Sequence, residues 1–192
     1  MVTHKKNTSL QGFGLVELIV SLSIVTIVTS IVIARHNAFN GAILLRNQAY
    51  EIAFVIQRAQ QLAVSGQTTA LTTTIRQRYG VAFSTGTTGA VNRQVIVLYK
   101  DNNNNGVLDD ADDVIETIRL DSRFRIGTMT IADTSRGSVR VLFERPLFDA
   151  KFYQGTSNSL QTGPVRITVR PVSGSTAERV IVVSSAGQVT VE

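Results

Sequence analysis

The chain has no cysteine and no tryptophan, and only two histidines in 192 residues. Without cysteine there is no disulfide, no thiolate nucleophile and no cysteine-ligated metal. The histidines are His4, near the start, and His36, at the edge of a long apolar run, so neither suits a catalytic triad or a zinc site. No enzymatic constellation is left to argue for. Stability has to come from core packing or from a bound ion. No internal repeat or long low-complexity segment is visible.

Charge is also missing where it is usually plentiful. From Gln11 to Ala34 the only charged residue is Glu17; the rest is mostly Leu, Ile, Val, Ser, Thr, Phe, Gly and Ala. About 20 apolar residues at ~1.5 Å rise cover a bilayer core of ~30 Å as a helix. A lone carboxylate inside such a run is costly unless something meets it. An ordinary secretory signal would carry a shorter apolar core and a small-x-small cleavage site, which Ile33-Ala34-Arg35 supplies poorly. A plain signal anchor accounts for the run but not for Glu17.

Gly12-Phe13-Gly14-Leu15-Val16-Glu17 ahead of that run resembles the class III leader of type IV pilins and type II secretion pseudopilins. The resemblance implies cleavage by prepilin peptidase between Gly12 and Phe13 and N-methylation of Phe13. It also implies that Glu17, fifth in the mature chain, pairs with the freed amine of a neighbouring subunit. Three features depart from the common pattern: Gly14 where Thr is commoner, leader charges set back at His4, Lys5 and Lys6, and Ala34 where major subunits often carry Pro. The last points to a minor subunit.

Past Arg35-His36-Asn37, Ala38, Ala42, Leu45, Ala49, Ile52, Ile56, Ala59 and Ala63 recur at alternating spacings of four and three, one apolar stripe on a helix ending near Ser65-Gly66. From Gln67 the pattern turns to period two with β-branched residues. Strands are expected at Ala70–Ile75, Gly80–Phe83, Gln94–Lys100, Val114–Leu120, Thr128–Ile131, Ser138–Phe143, Val165–Val169, Arg179–Ser184 and Gln188–Val191, with a hairpin turn at residues 184–188. The expected organisation is a leader (1–12), a transmembrane or filament-core half-helix (13–34), an amphipathic half-helix (35–65) and a β-rich domain (66–192). The fold class is α+β, a long N-terminal helix packed on antiparallel sheet. Arg58-Ala59-Gln60-Gln61-Leu62-Ala63, the strand leading into Asp101-Asn102-Asn103-Asn104-Asn105-Gly106, and the closing Arg179–Val183 and Gly187-Gln188-Val189 resemble GspH/FimT-type minor subunits.

Two stretches carry candidate binding chemistry. Asp101, Asn103, Asn105, the Val107 carbonyl, Asp109 and Asp112 stand at positions one, three, five, seven, nine and twelve of an EF-hand-like calcium loop, with Gly106 at six. The alternative is a solvated Asn/Gly turn between two strands. Residues 101–116 hold six of the fourteen acids, so the rest of the mature chain is strongly basic. Arg119, Arg123, Arg125, Arg136 and Arg140 are candidate DNA contacts, with Arg145, Lys151, Arg166, Arg170 and Arg179 nearby. Alternatively they line solvent faces of strands, with Phe148, Phe152 and Tyr153 in the core.

The resemblance implies a minor pseudopilin or pilin acting in protein secretion or pilus biogenesis, not an enzyme. Implied partners are sister subunits, the peptidase and an inner-membrane assembly platform. The implied location is the bacterial inner membrane as a single-pass protein with a periplasmic domain, or a filament. A FimT-like subunit binding DNA for uptake is the alternative.

Overall fold

In a computed structural model the described residues are 14–65, 77–86, 90–144, 149–155, 159–173 and 176–192, with the side chains of 34–39 excepted. The junction Gly12/Phe13, the leader, Gly66, the strand expected at Ala70–Ile75, Arg145 and Phe148 lie outside them. One helix, α1, spans Leu15–Ser65. The chain divides into two units, Met1–Gly41 and Ala42–Glu192.

In the first unit α1 follows Gly14, whose carbonyl accepts the Leu18 amide at 3.1 Å. Three of its hydroxyl side chains turn back onto the helix. Ser23, Thr26 and Ser30 donate to the carbonyls of Ile19, Leu22 and Thr26, each at 2.8 Å, so their hydroxyls need no outside partner.

In the second unit eleven strands follow among the described residues: β1 (Arg78–Ser84), β2 (Val95–Asp101), β3 (Asp113–Arg119), β4 (Phe124–Ile131), β5 (Thr134–Ser135), β6 (Ser138–Glu144), β7 (Ala150–Gln154), β8 (Leu160–Gln161), β9 (Val165–Pro171), β10 (Arg179–Val183) and β11 (Val189–Val191). They form two sheets, ordered β3-β2-β1-β6-β7-β8 and β11-β10-β9-β4-β5, and the strand pairs are antiparallel. The α+β class therefore holds. The expected stripe is the buried face of the helix: Leu45, Ala49, Ile52, Ile56, Ala59 and Ala63 are all buried, joined by Ala53 and Val55, while Ala42 is exposed. That face shares one apolar cluster with the inner residues of both sheets, among them Val81, Phe83, Leu98, Val141 and Phe143 on one and Ile126, Met129, Ile167 and Ile181 on the other. The alanines let the sheets approach closely.

Several strands depart from expectation. β4 begins at Phe124, four residues before the expected Thr128, and β5, β7 and β8 were not expected. The closing hairpin is as expected: Gly187 takes φ 79°, a left-handed value suited to glycine, and Ser184 N–H donates to the Gln188 carbonyl at 2.9 Å.

The central strands of the six-stranded sheet, β1, β2, β6 and β7, are buried on both faces. The outer face of this sheet carries Ala82, Val95, Val97, Tyr99, Leu142 and Tyr153 as a second apolar cluster, partly covered by Val91 and Leu108. Leu108 belongs to the segment joining β2 to β3, so the acidic loop is also the lid on this face.

Candidate functional site

Leu15–Ile33 is 19 residues long with a mean hydropathy of 2.4, and none of that window is buried. It is long and apolar enough to cross a membrane, as an anchor or a signal sequence would. Glu17 lies in the first helical turn, where the helix dipole favours a carboxylate. Its side chain is exposed.

The acidic loop is built outward from Asp101. This residue ends β2, is 1% exposed, and lies across the strands from Arg78, whose other neighbour is Glu144. Arg78 bonds Glu144 at 3.0 Å and the Asn104 carbonyl at 2.8 Å, and stands 3.9 Å from the Asp101 carboxylate. Lys151 also reaches Glu144. Asp101 accepts the amides of Asn105 at 3.1 Å and Gly106 at 2.9 Å. Asn103 and Asn105 turn back on the amides two residues on, and Asn105 also donates to Asp109 at 2.7 Å. Asp112 accepts the amides of Asn102 and Asp109 at 3.0 and 3.2 Å.

The loop is thus closed by its own donors. Of the six oxygen donors expected to hold calcium, Asp101 is turned into the fold and Asp109 and Asp112 serve loop amides. Among the described residues no group of three His, Cys, Asp or Glu is placed to hold a metal ion. Gly106 has φ 70°, and a Cβ there would lie 3.1 Å from the Tyr153 ring.

Two outcomes follow for this loop. Gly106→Ala should cost about 1–3 kcal/mol, from left-handed strain plus crowding of Tyr153. Gly155 also has positive φ but open space around its Cβ position, so Gly155→Ala should carry the strain alone. Urea melts of both variants, followed by tyrosine fluorescence, check this; a Gly106→Ala cost no larger than that of Gly155→Ala would contradict it. The acids should also titrate in a set order. Hydrogen bonds from Asn105, the Ala111 amide and Asn103 pull the Asp109 carboxyl below its usual value. Burial pushes Asp112 up, helped by the charges of Asp101 and Asp109 and opposed by its amide bonds. Carbon NMR of the carboxyls should show Asp112 protonating first as pH falls and Asp109 later. By linkage, Asp109 then contributes stability present above the unfolded-state value and lost in acid, whereas Asp112 gains stability as pH falls through its raised value.

The arginines expected to contact DNA are dispersed. Arg119 is exposed at the end of β3, on the six-stranded sheet. Arg123 folds onto Asp121 at 2.7 and 2.9 Å, which holds the Asp121 carboxyl far below the usual carboxylate range. Arg125 is on β4, in the other sheet, and Arg136 follows β5 and reaches Gln161 at 3.4 Å. Arg140 is a correction: it is 5% exposed, on the outer face of β6 beneath the lid. Burial lowers its guanidinium from the ordinary value, against the charges of Tyr99, Asp101 and Tyr153. Of the nearby cations, Lys151 is tied to Glu144 and Arg166 lies by Asp133 and Glu192, while Arg170 covers Gly127 and Arg179 opens β10. A FimT-like DNA surface therefore loses Arg123 and Arg140 as free contacts. Phe152 and Tyr153 are core residues, as expected.

Comparison with protein-family models, with curated proteins and with solved structures finds no match to this chain.

Proposed function

We propose that the chain is a prepilin-type precursor with a pilin-like fold. In its mature form it is a minor subunit of a type II secretion pseudopilus or type IV pilus. The observation that carries this is the bare apolar helix Leu15–Ile33 with Glu17 in its first turn. In a bilayer the apolar rod is covered by lipid before assembly. In a filament it is covered by helices of sister subunits, and a freed N-terminal ammonium neutralises Glu17, since a paired buried charge is tolerable where a lone one is not. The Ala-faced second half of α1 packs against the sheets of its own unit. The role is assembly, not catalysis.

The test is incorporation of Glu17→Gln into filaments by cells that make the partner subunits. Glu51→Gln, on the exposed face of the second half of α1, is the control. Recovery of the Glu17 variant should fall at least about tenfold, the size of a lost pairing of ~1.4 kcal/mol or more. Recovery equal to the control would remove the pairing mechanism.

A further inference from the structure

Where the two sheets meet, a cavity of about 350 Å³ is lined by two arginines, Arg93 and Arg125, with Asn92, Gln94 and Ser122 beside them. Its described lining holds no acid. The main chain fixes both cations. The Arg93 carbonyl accepts the Ile126 amide at 2.7 Å, and the Gln94 carbonyl accepts the Leu120 amide at 2.8 Å, so the turn before β2 is bonded to β4 and to the residue that follows β3. Gln94 spends its side-chain amide on the carbonyls of Ser122 and Phe124, both at 3.1 Å, which holds the wall in place. Arg93 is braced through Nε by the Thr85 carbonyl. Arg125 Nε is buried and makes no hydrogen bond. The adjacent acid in sequence, Asp121, is already occupied by Arg123.

We propose that this cavity binds a phosphate group. Two guanidinium forks on one cavity, braced by main chain and without a carboxylate between them, suit a ligand with several acceptor oxygens. Phosphate on an ester carries nearly two negative charges at neutral pH, which balances Arg93 and Arg125 where one carboxylate would not. Phosphate that binds the folded chain and not the unfolded one should stabilise it. The site is independent of the assembly role: it would stand if the leader were never cut, and assembly would stand if the cavity bound nothing.

The test uses the full chain in maltoside micelles and phosphate-free buffer, titrated with inorganic phosphate by calorimetry. Saturable binding of one equivalent is expected, with affinity about tenfold weaker or worse in Arg93→Gln and Arg125→Gln and unchanged in Arg119→Gln. Absence of saturable binding, or wild-type affinity in Arg125→Gln, would overturn the site. Should the two variants misfold, the wild-type chain still decides: phosphate should raise its Tm and chloride at equal ionic strength should not. Equal effects of the two salts overturn the proposal. A 5′-phosphorylated dinucleotide and its unphosphorylated form identify the source. Tighter binding of the phosphorylated form than of inorganic phosphate assigns a nucleic-acid end, and no gain over inorganic phosphate assigns the free ion; both uphold the site.

Discussion

Asp101→Ala should destabilise the second unit by about 3 kcal/mol or more, since it orphans buried donors and removes a buried countercharge. The amides of Asn105 and Gly106 both donate to this carboxylate, and among the described residues Arg78 keeps Glu144 alone as an acidic neighbour once Asp101 is gone. The 3.9 Å separation from Arg78 makes the two amide bonds the larger part of the loss. The consequences reach past the loop, because Leu108 and Gly106 lie on the outer cluster around Tyr99 and Tyr153. Asp110→Ala removes an exposed acid of the same loop and should stay within about 0.5 kcal/mol of the parent. Urea unfolding read by tyrosine fluorescence compares them cleanly, as there is no tryptophan to mask the signal. Equal midpoints for the two variants would mean that the acidic loop is only a solvated turn.

Ile52→Ala should cost about 2–5 kcal/mol, the range for truncating a fully buried aliphatic side chain. Ile52 is 0% exposed and sits in the cluster that joins α1 to both sheets. Against a typical total stability of about 5–15 kcal/mol, that loss should lower the urea midpoint sharply. Phe54 is two residues on and 63% exposed, so Phe54→Ala should be nearly silent despite removing more carbon. A reversed order would show that the helix packs through a different face from the Leu45–Ala63 stripe.

That stripe was legible because helical period and burial coincide: Leu45, Ala49, Ile52, Ile56, Ala59 and Ala63 face one way at any plausible helix placement. Most strands were legible from alternation. β7 was not, because Ala150-Lys151-Phe152-Tyr153-Gln154 is short and has large apolar residues adjacent rather than alternating; both faces of its sheet are covered. The same covering hid the burial of Arg140. In Val139-Arg140-Val141 the alternation reads as an exposed cation, and only the fold of residues 101–113 over that face reverses it. Gly127 and the turn residues Asp121 and Ser122 concealed the start of β4 at Phe124. Arg93 carries no local signal at all; its place beside Arg125 depends on main-chain bonds between segments about thirty residues apart in sequence.

The most direct measurement is the intact mass and N-terminal sequence of the chain extracted from membranes of cells that contain a prepilin peptidase. A mature protein beginning at a methylated Phe13, with residues 1–12 gone, is the predicted result. A chain that still carries Met1–Gly12 under those conditions would contradict the account, because no freed amine would exist for Glu17 to meet.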